Sequence, residues 1–295
     1  MIVHDTVKQY SQLFNNSALH PLISFVDLGK SDLLKRTKFM MNIYAIIIKE
    51  TNCGDLRYGN KYYDYDEGTV VFFSPGQIIK HEPEGELHQP YGKALVFHPD
   101  LIKGTSLGKQ IHEYSFFSYQ SHEALHLSEK EREVINNCME NIVSEINQTI
   151  DKHSKKLIST NLELLLSYFT RFYDRQFITR ADAHKGIIEQ FEQLLNAYLW
   201  GQELSTKGLP SVSYFADKLH LSPNYFGDLI KKETGKTALE FIQLKLMDLA
   251  KEKIFDTTKS ISEIAYELGF KYPQHFTRLF KQKVGLTPNG YRMAN

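Results

Sequence analysis

Two cysteines in 295 residues, Cys53 and Cys138, without CxxC spacing, offer neither a disulfide framework nor a metal clip, and both read as small buried apolar residues. No uncharged apolar stretch reaches the length of about 18 residues that a membrane-spanning helix needs. The opening MIVHDTVKQY lacks the apolar core of a signal segment. The expectation is a soluble, cytoplasmic protein without a membrane partner. Low-complexity tracts are missing as well. So is net charge: 35 Lys and Arg balance 35 Asp and Glu, and the chain as a whole has no basic excess.

The zero total hides an asymmetry. From Gly201 onward 14 basic residues stand against 10 acidic ones, and after residue 270 the five basic residues Lys271, Arg278, Lys281, Lys283 and Arg292 meet no acidic partner in the text. A basic patch of this modest size predicts weak nonspecific affinity for nucleic acid, strongly dependent on salt.

The same region writes one pattern twice. SVSYFADKLHLSPNYFGDLIKKETGKT, residues 211–237, and ISEIAYELGFKYPQHFTRLFKQKVGLTP, residues 261–288, each read as helix, tight turn and helix, the motifs themselves lying at about 212–234 and 261–283. Ala216 matches Ala265 and Leu219 matches Leu268 at an offset of 49, after which Phe226 and Phe276, Gly235 and Gly285, and Thr237 and Thr287 match at 50. One residue is therefore inserted in the second turn. A small Ala on the first helix lets the second cross it closely, which is the geometry of a helix-turn-helix. Ser222 followed by Pro223 forms an N-cap with proline at the first helical position. Phe226, Leu229 and Ile230 form the buried stripe of copy one, leaving Asn224, Gly227, Asp228, Lys231 and Lys232 on other faces. In copy two the stripe is Phe276, Leu279 and Phe280, and the outer face is Lys271, Gln274, Thr277, Arg278 and Lys281, able to hydrogen-bond base edges and neutralise phosphates. A stacking helical repeat is the competing reading, but two copies are too few for a solenoid, which needs about three. Leu239, Ile242, Leu246, Leu249 and Ala250 predict one helix over Ala238 to Phe255, a rigid connector. Two reading helices on one face of a duplex would enter major-groove segments roughly 34 Å apart.

With AKEKI at 250–254, SISEIAYELGF at 260–270, HFTRLFKQKVG at 275–285 and TPNGYR at 287–292, the segment from about Val212 to Arg292 resembles the DNA-binding domain of the AraC/XylS family of transcription regulators. The resemblance implies a seven-helix unit with two helix-turn-helix motifs, double-stranded DNA at a promoter or operator as partner, a homodimer, and RNA polymerase as a further contact. It places base reading on Asn224, Gly227 and Asp228 in copy one and on Pro273, Gln274 and Arg278 in copy two. Gly227 has no side chain to read with, Asp228 repels phosphate and Pro273 lacks an amide donor, so Gln274 and Arg278 are the expected base contacts. Lys231, Lys232, Lys271, Thr277 and Lys281 fall to positioning on phosphate.

The first 126 residues read as strands. NIYAIIIKE, TVVFFSP and KALVFHP are β-branched or aromatic runs separated by turn text. Several short strands of this kind indicate a barrel or jelly roll. YGNKYYDYDEGTVVFFSPGQ resembles the cupin-like barrel that many AraC relatives carry as a sensing domain, which implies a small-molecule effector. Tyr44, Tyr58, Tyr63 and Phe72 are the candidate pocket aromatics, with plain core as their other reading. A cupin also raises metal chemistry. His81, His88, His98, Glu82, Glu84 and Glu86 supply ligand types, but no two histidines stand in an H-x-H arrangement and His98 reads as a strand-end cap before Pro99 and Asp100. No metal, no cofactor and no enzymatic site are therefore expected.

From Leu127 the period becomes helical. Ser128 and Glu131 form a capping box, Ile135, Cys138, Met139, Ile142 and Ile146 one stripe, and Ile158, Leu162, Leu165, Phe169 and Phe172 the next. Leu164, Leu166 and Tyr168 widen the second apolar surface, so Ile158, Leu162, Leu165 and Phe169 are candidates for a homodimer interface, unless both faces pack within one chain. Polar text over 171–186 ends this pair and places an interdomain joint near 179–186; Ile187 to Tyr198 is a further helix and 201–210 a loop. The expected architecture is α+β: a cupin-like β-barrel at 1–126, a helical pair at 127–178 and a DNA-binding domain at 187–295. A one-component transcription regulator follows, most readily an activator; the alternatives are a regulator without a ligand, a metal-dependent cupin enzyme and a protein-interaction module.

Overall fold

The computed structural model describes residues 2–32, 34–35, 37–49, 68–81, 87–88, 91–120, 123–179 and 181–294. The chain divides into two compact units, Met1–Thr179 and Arg180–Asn295.

Unit 1 is built on a five-stranded antiparallel sheet in the order β10 (Leu125–His126), β6 (Thr69–Phe73), β5 (Tyr44–Lys49), β9 (Lys93–Phe97), β2 (Ile23–Asp27). Strands β1 (Ile2–His4), β4 (Thr37–Met41) and β7 (Gln77–His81) form a three-stranded sheet, and β3 (Leu34–Lys35) pairs with β8 (Leu87–His88). Among the described residues these sheets do not join into a closed barrel. At each outer edge of the large sheet a side-chain amide pairs with backbone groups. Asn16 donates from Nδ2 to the carbonyl oxygen of Asp27 at 2.9 Å and accepts the Asp27 amide at Oδ1. Gln176 does the same for β10, donating to Ala124 and accepting from His126. An edge whose backbone groups are already paired gains nothing from another strand.

The register explains how the sheet is buried on both faces. Ile46 stands opposite Phe72 and Leu95, and Tyr44 opposite Phe97, so these side chains share one face, while Ala45, Ala94 and Val96 share the other. The second face packs with Val26, Met41, Ile43 and the apolar side of α1 (Val7–Leu13), through Val7 and Tyr10. The first is covered by helices α4 (Glu129–Ile146) and α5 (Ser154–Thr179) and by the turn of helix at Ser115–Ser118, with the short helices α2 (Pro99–Ile102) and α3 (Ser106–Gln110) packed on α5. Phe72 meets Phe116 at 4.5 Å and Phe169 of α5 at 4.9 Å between ring centroids. Tyr44 stacks on Phe97 at 4.9 Å. The two pocket candidates therefore lie on the helix-covered face rather than inside a barrel: alternation separates two faces without saying what covers each. Tyr58 and Tyr63, like Cys53, Glu82, Glu84 and Glu86, lie outside the described residues.

The helical pair forms with the expected Ser128 and Glu131 capping box. Arg175 reaches back from α5 to Glu131, with Nε to Oε1 at 3.0 Å and Nη2 to Oε2 at 2.6 Å, and so fixes the start of α4 against the end of α5. Two expectations are corrected here. Helix α5 continues through the polar text to Thr179, because Phe172, Tyr173, Gln176 and Phe177 carry its buried stripe onward between exposed positions. Ile158, Leu162, Leu165 and Phe169 are 0 % exposed within the single chain and have no surface left for a partner. The large apolar residues that α5 turns outward are Leu157, Leu164 and Ile178. His98 caps α2, its Nδ1 accepting the Asp100 amide at 3.2 Å, and among the described residues no group of three or more metal-ligating side chains converges. No helix among them is long and apolar enough to cross a membrane.

Unit 2 is all helical: α6 (Ala181–Trp200), α7 (Glu203–Lys207), α8 (Val212–Lys218), α9 (Pro223–Thr234), α10 (Ala238–Ile254), α11 (Ile261–Glu267), α12 (Pro273–Val284) and α13 (Pro288–Ala294). Helix α6 begins before the expected Ile187, and the expected loop at 201–210 holds the short α7, whose Leu204 is buried. Phe191 of α6 centres one aromatic cluster, with Phe215 at 5.2 Å and Phe226 at 5.0 Å. A second joins Phe270, Phe276, Phe280 and Tyr291. Helix α10 runs between the two clusters, started by the capping box of Thr237 and Glu240, and its Leu239 is half exposed instead of belonging to the buried stripe.

Candidate nucleic-acid interface

The two repeats fold by the same backbone hydrogen bonds. In copy one the Leu221 amide donates to the Ala216 carbonyl at 2.9 Å; in copy two Phe270 donates to Ala265 at 3.0 Å. Both alanines are fully buried where the helices cross. Each turn passes through one left-handed residue, His220 at φ 56° and Gly269 at φ 77°. Each second helix closes on a left-handed glycine whose amide donates back at 2.9 Å, Gly235 to Lys231 and Gly285 to Lys281. The inserted residue falls between these landmarks. Copy one starts α9 with Ser222 Oγ accepting the Tyr225 amide at 3.2 Å and Pro223 behind it. Copy two uses the extra residue to begin α12 at Tyr272, without a side-chain cap.

Gly269 is glycine for a second reason. A Cβ there would stand 2.8 Å from the Gly208 carbonyl carbon and 2.8 Å from the Leu204 oxygen. The end of α7 lies directly on the second turn; the first turn carries His220 at the matching left-handed position.

The buried and outward residues separate cleanly. Phe226, Leu229 and Ile230 are buried in copy one and Phe276 and Phe280 in copy two, with Leu279 only half-buried. Asn224, Lys231 and Lys232 are exposed on α9, while Gly227 and Asp228 are half-buried. On α12, Gln274, Arg278 and Lys281 are exposed and Pro273 and Thr277 half-buried; Lys271 is exposed in the turn ahead of the helix. Gln274, Thr277, Arg278 and Lys281 lie three to four residues apart and so form one ridge. Among the described residues the side chains of Arg278 and Lys281 take no ion pair.

Arg292 leaves the expected basic patch. Its Nε donates to the Ile254 carbonyl at 2.7 Å and its Nη2 to that of Asp256 at 3.2 Å, capping the end of α10. Lys253 and Lys259 are likewise engaged by Glu267, Lys253 at 3.2 Å, which ties α10 to α11. The hydrogen bond from Lys259 holds the Glu267 carboxyl below its ordinary range, with Lys253 adding to the effect. Sequence reasoning missed Tyr272 and His275, both exposed, whose rings meet edge to face at 5.4 Å beside Lys271. The signal was present in the repeat: at the offset of 50, His275 takes the place of Tyr225, which is buried.

A family model described as a helix-turn-helix domain matches residues 215–294. The HTH-type transcriptional regulator YtdP of Bacillus subtilis is 36 % identical over 77 residues, covering 26 % of this chain and 10 % of that protein. The bifunctional transcriptional activator/DNA repair enzyme AdaA of the same organism is 38 % identical over 80 residues, covering 27 % of this chain and 38 % of its own. The chain thus spans well under half the length of these curated relatives. Among solved structures, the C-terminal domain of the response regulator yesN from Fusobacterium nucleatum is 27 % identical, covers 35 % of this chain and 95 % of that one, and has a TM-score of 0.32.

Proposed function

We propose that the C-terminal unit, which matches a helix-turn-helix family model over residues 215–294, is an AraC-type DNA-binding domain, and that the chain is a sequence-specific regulator of transcription that binds promoter DNA through α9 and α12. The observation that carries this reading is the twice-built turn, with a matched crossing alanine, left-handed turn residue and glycine stop in each copy. A repeat conserved at that level of backbone detail presents two equivalent helices for two successive major-groove segments. Gln274 and Arg278 read bases; Lys231, Lys232, Lys271, Thr277 and Lys281 position the domain on phosphate, and Asn224 and Asp228 face the groove in copy one.

Unit 1 is the sensing half. The crevice lined by Phe72, Phe116, Tyr119, Gln120 and Tyr173 has room for about one water molecule, so an effector seated there would have to open it by moving these rings. Its sheets are read as an opened relative of the cupin barrel. A second copy of the chain is seated on the outward ridge of α5, where Leu157, Leu164 and Ile178, at 48, 46 and 66 % exposure, recur at multiples of seven residues. The effector acts by favouring one arrangement of two such heads over another, since a ligand shifts an equilibrium only through differential affinity. The assembly works in the cytoplasm at a promoter, beside RNA polymerase, and activation is the favoured outcome.

Selection of binding sequences from random duplex DNA by the full chain, at two salt concentrations, tests the central reading. The expected result is a motif about two helical turns long; recovery of no sequence preference at either salt counts against it. Sedimentation of the same preparation tests the dimer, and a monomer at micromolar concentration removes that part.

A further inference from the structure

Two paths join the helix-turn-helix copies of unit 2. The first is α10, on which α9 packs from copy one and α11 and α12 pack from copy two. The second runs through α7. Tyr198 of α6 is buried in the aromatic core of copy one, its ring 5.1 Å from that of Tyr214 and 6.0 Å from that of Phe215, both on α8. Its hydroxyl donates to the Gly208 carbonyl at 3.0 Å. Gly208 ends α7 at φ 83° and ψ −156°, a backbone region that only glycine enters readily. It faces Gly269 in the turn of copy two. A Cβ at 208 would stand 3.5 Å from the Gly269 oxygen, and one at 269 would stand 2.8 Å from the Gly208 carbonyl carbon. Backbone meets backbone there, between two glycines of positive φ.

We propose that this clasp, from Tyr198 through Gly208 to Gly269, sets the rotation of α12 relative to α9, and that Tyr198 is thereby a positioning residue for the spacing of two half-sites on DNA. The inference rests on the DNA-binding reading above and goes beyond it. Helix α10 fixes how far apart the copies lie, but a copy packed along one helix can still roll about that seam. A second connection that bypasses α10 removes the roll. The contact leaves little play, because packed backbone has no rotamers to change as a side chain has. One base pair of B-DNA turns the groove by roughly 35° and advances it by about 3.4 Å. Two reading helices held in a fixed phase therefore accept one spacing, and two that roll accept several.

The test uses the full chain, the duplex selected by the wild-type protein, and the same duplex with one base pair inserted midway between its two halves. Tyr198→Phe removes the hydroxyl and keeps the ring in its aromatic core. The wild type should lose about tenfold in affinity on insertion, the scale of one mismatched base pair. Tyr198→Phe should lose only about threefold, since one neutral hydrogen bond is worth a factor of a few. Leu204→Ala, which removes the buried anchor of α7, should narrow the difference in the same way. Variants that weaken on both duplexes by one common factor, with lowered thermal midpoints, show that these residues only stabilise the fold, and overturn the inference. A wild type that binds both duplexes alike overturns it too, because the copies then hold no fixed phase. Failure of the DNA reading itself looks different: the wild type selects no sequence, which is seen before any variant is made, and the inference falls with it.

Discussion

The side-chain amide of Gln176 pairs with the backbone of Ala124 as a neighbouring strand would, its Nε2 donating to the Ala124 carbonyl at 3.1 Å. Its Oε1 accepts the His126 amide at 2.8 Å, and Arg175 Nη2 donates to the His126 carbonyl at 2.6 Å, so two adjacent side chains of α5 pair with the backbone at and before β10. Asn16 performs the same service at β2. Side-chain amides thus pair with backbone groups at both ends of the sheet, and α5 is attached to it by hydrogen bonds as well as by Phe169.

Replacing Gln176 by Leu is expected to destabilise unit 1 by about 2–4 kcal/mol, because the shape is filled while two buried backbone groups lose their partners. Hydrogen exchange at the His126 amide reads this directly. Exchange should accelerate in the variant while amides in α9 and α12 keep their wild-type rates. Unchanged protection at His126 would show that the amide pairing contributes nothing.

The contact between Gly269 and Gly208 makes a different demand. Gly269→Ala adds a Cβ 2.8 Å from backbone atoms that cannot rotate away, at a φ of 77°. Left-handed backbone alone costs a non-glycine residue about 1–2 kcal/mol, and displacing α7 adds to it. Thermal unfolding followed by circular dichroism should show a midpoint lowered by several degrees. A midpoint equal to that of the wild type would mean that α7 is not seated on the second turn.

The helix-turn-helix pair was legible because everything that defines it is local. A crossing alanine, a proline at the first position of the second helix and a closing glycine recur at fixed spacing, and the inserted residue is visible as a change of offset. The sensing half was less so. Alternation in β5 and β6 separates Tyr44 and Phe72 from their neighbours, but only the pairing register reveals that α5 and the turn at Ser115–Ser118 cover that face. On α5 an apolar surface broader than one stripe implied two packed sides, and Ile158 to Phe169 proved to be the inward one. Gln176 and Asn16 left no periodic signal at all, since a polar side chain pairing with a distant strand looks in the sequence like any exposed amide.

Glu267 gives unit 2 a defined response to acid. Its carboxyl is held below the ordinary value of 4.5, first by the hydrogen bond from Lys259 and then by Lys253. A carboxyl with a depressed folded value contributes stability that is fully present above 4.5 and is lost as pH falls through the lower folded value. Glu267→Gln should therefore be less stable than the wild type at neutral pH, with the difference closing in acid below that range. Denaturant midpoints of both proteins from neutral to acid pH check this. A difference that stays constant with pH would mean that the lysines contribute through packing alone.

Arg278 and Lys281 separate the two kinds of contact that a reading helix makes. Both are exposed on one ridge of α12, Arg278 one turn from Gln274 and Lys281 one residue beyond the last buried phenylalanine. Arg278→Ala should cost about 1–3 kcal/mol on the selected duplex and relax preference at one base pair. Lys281→Ala should weaken all duplexes about equally and reduce the slope of log affinity against log salt by about 1, the signature of one phosphate contact. Titrations of both variants on selected and scrambled duplexes, each at two salt concentrations, distinguish the roles. If the double variant binds with unchanged affinity and unchanged salt slope, α12 does not enter the groove. Binding would then have to rest on α9, whose outward face offers Asn224, Gly227 and Asp228 and no arginine.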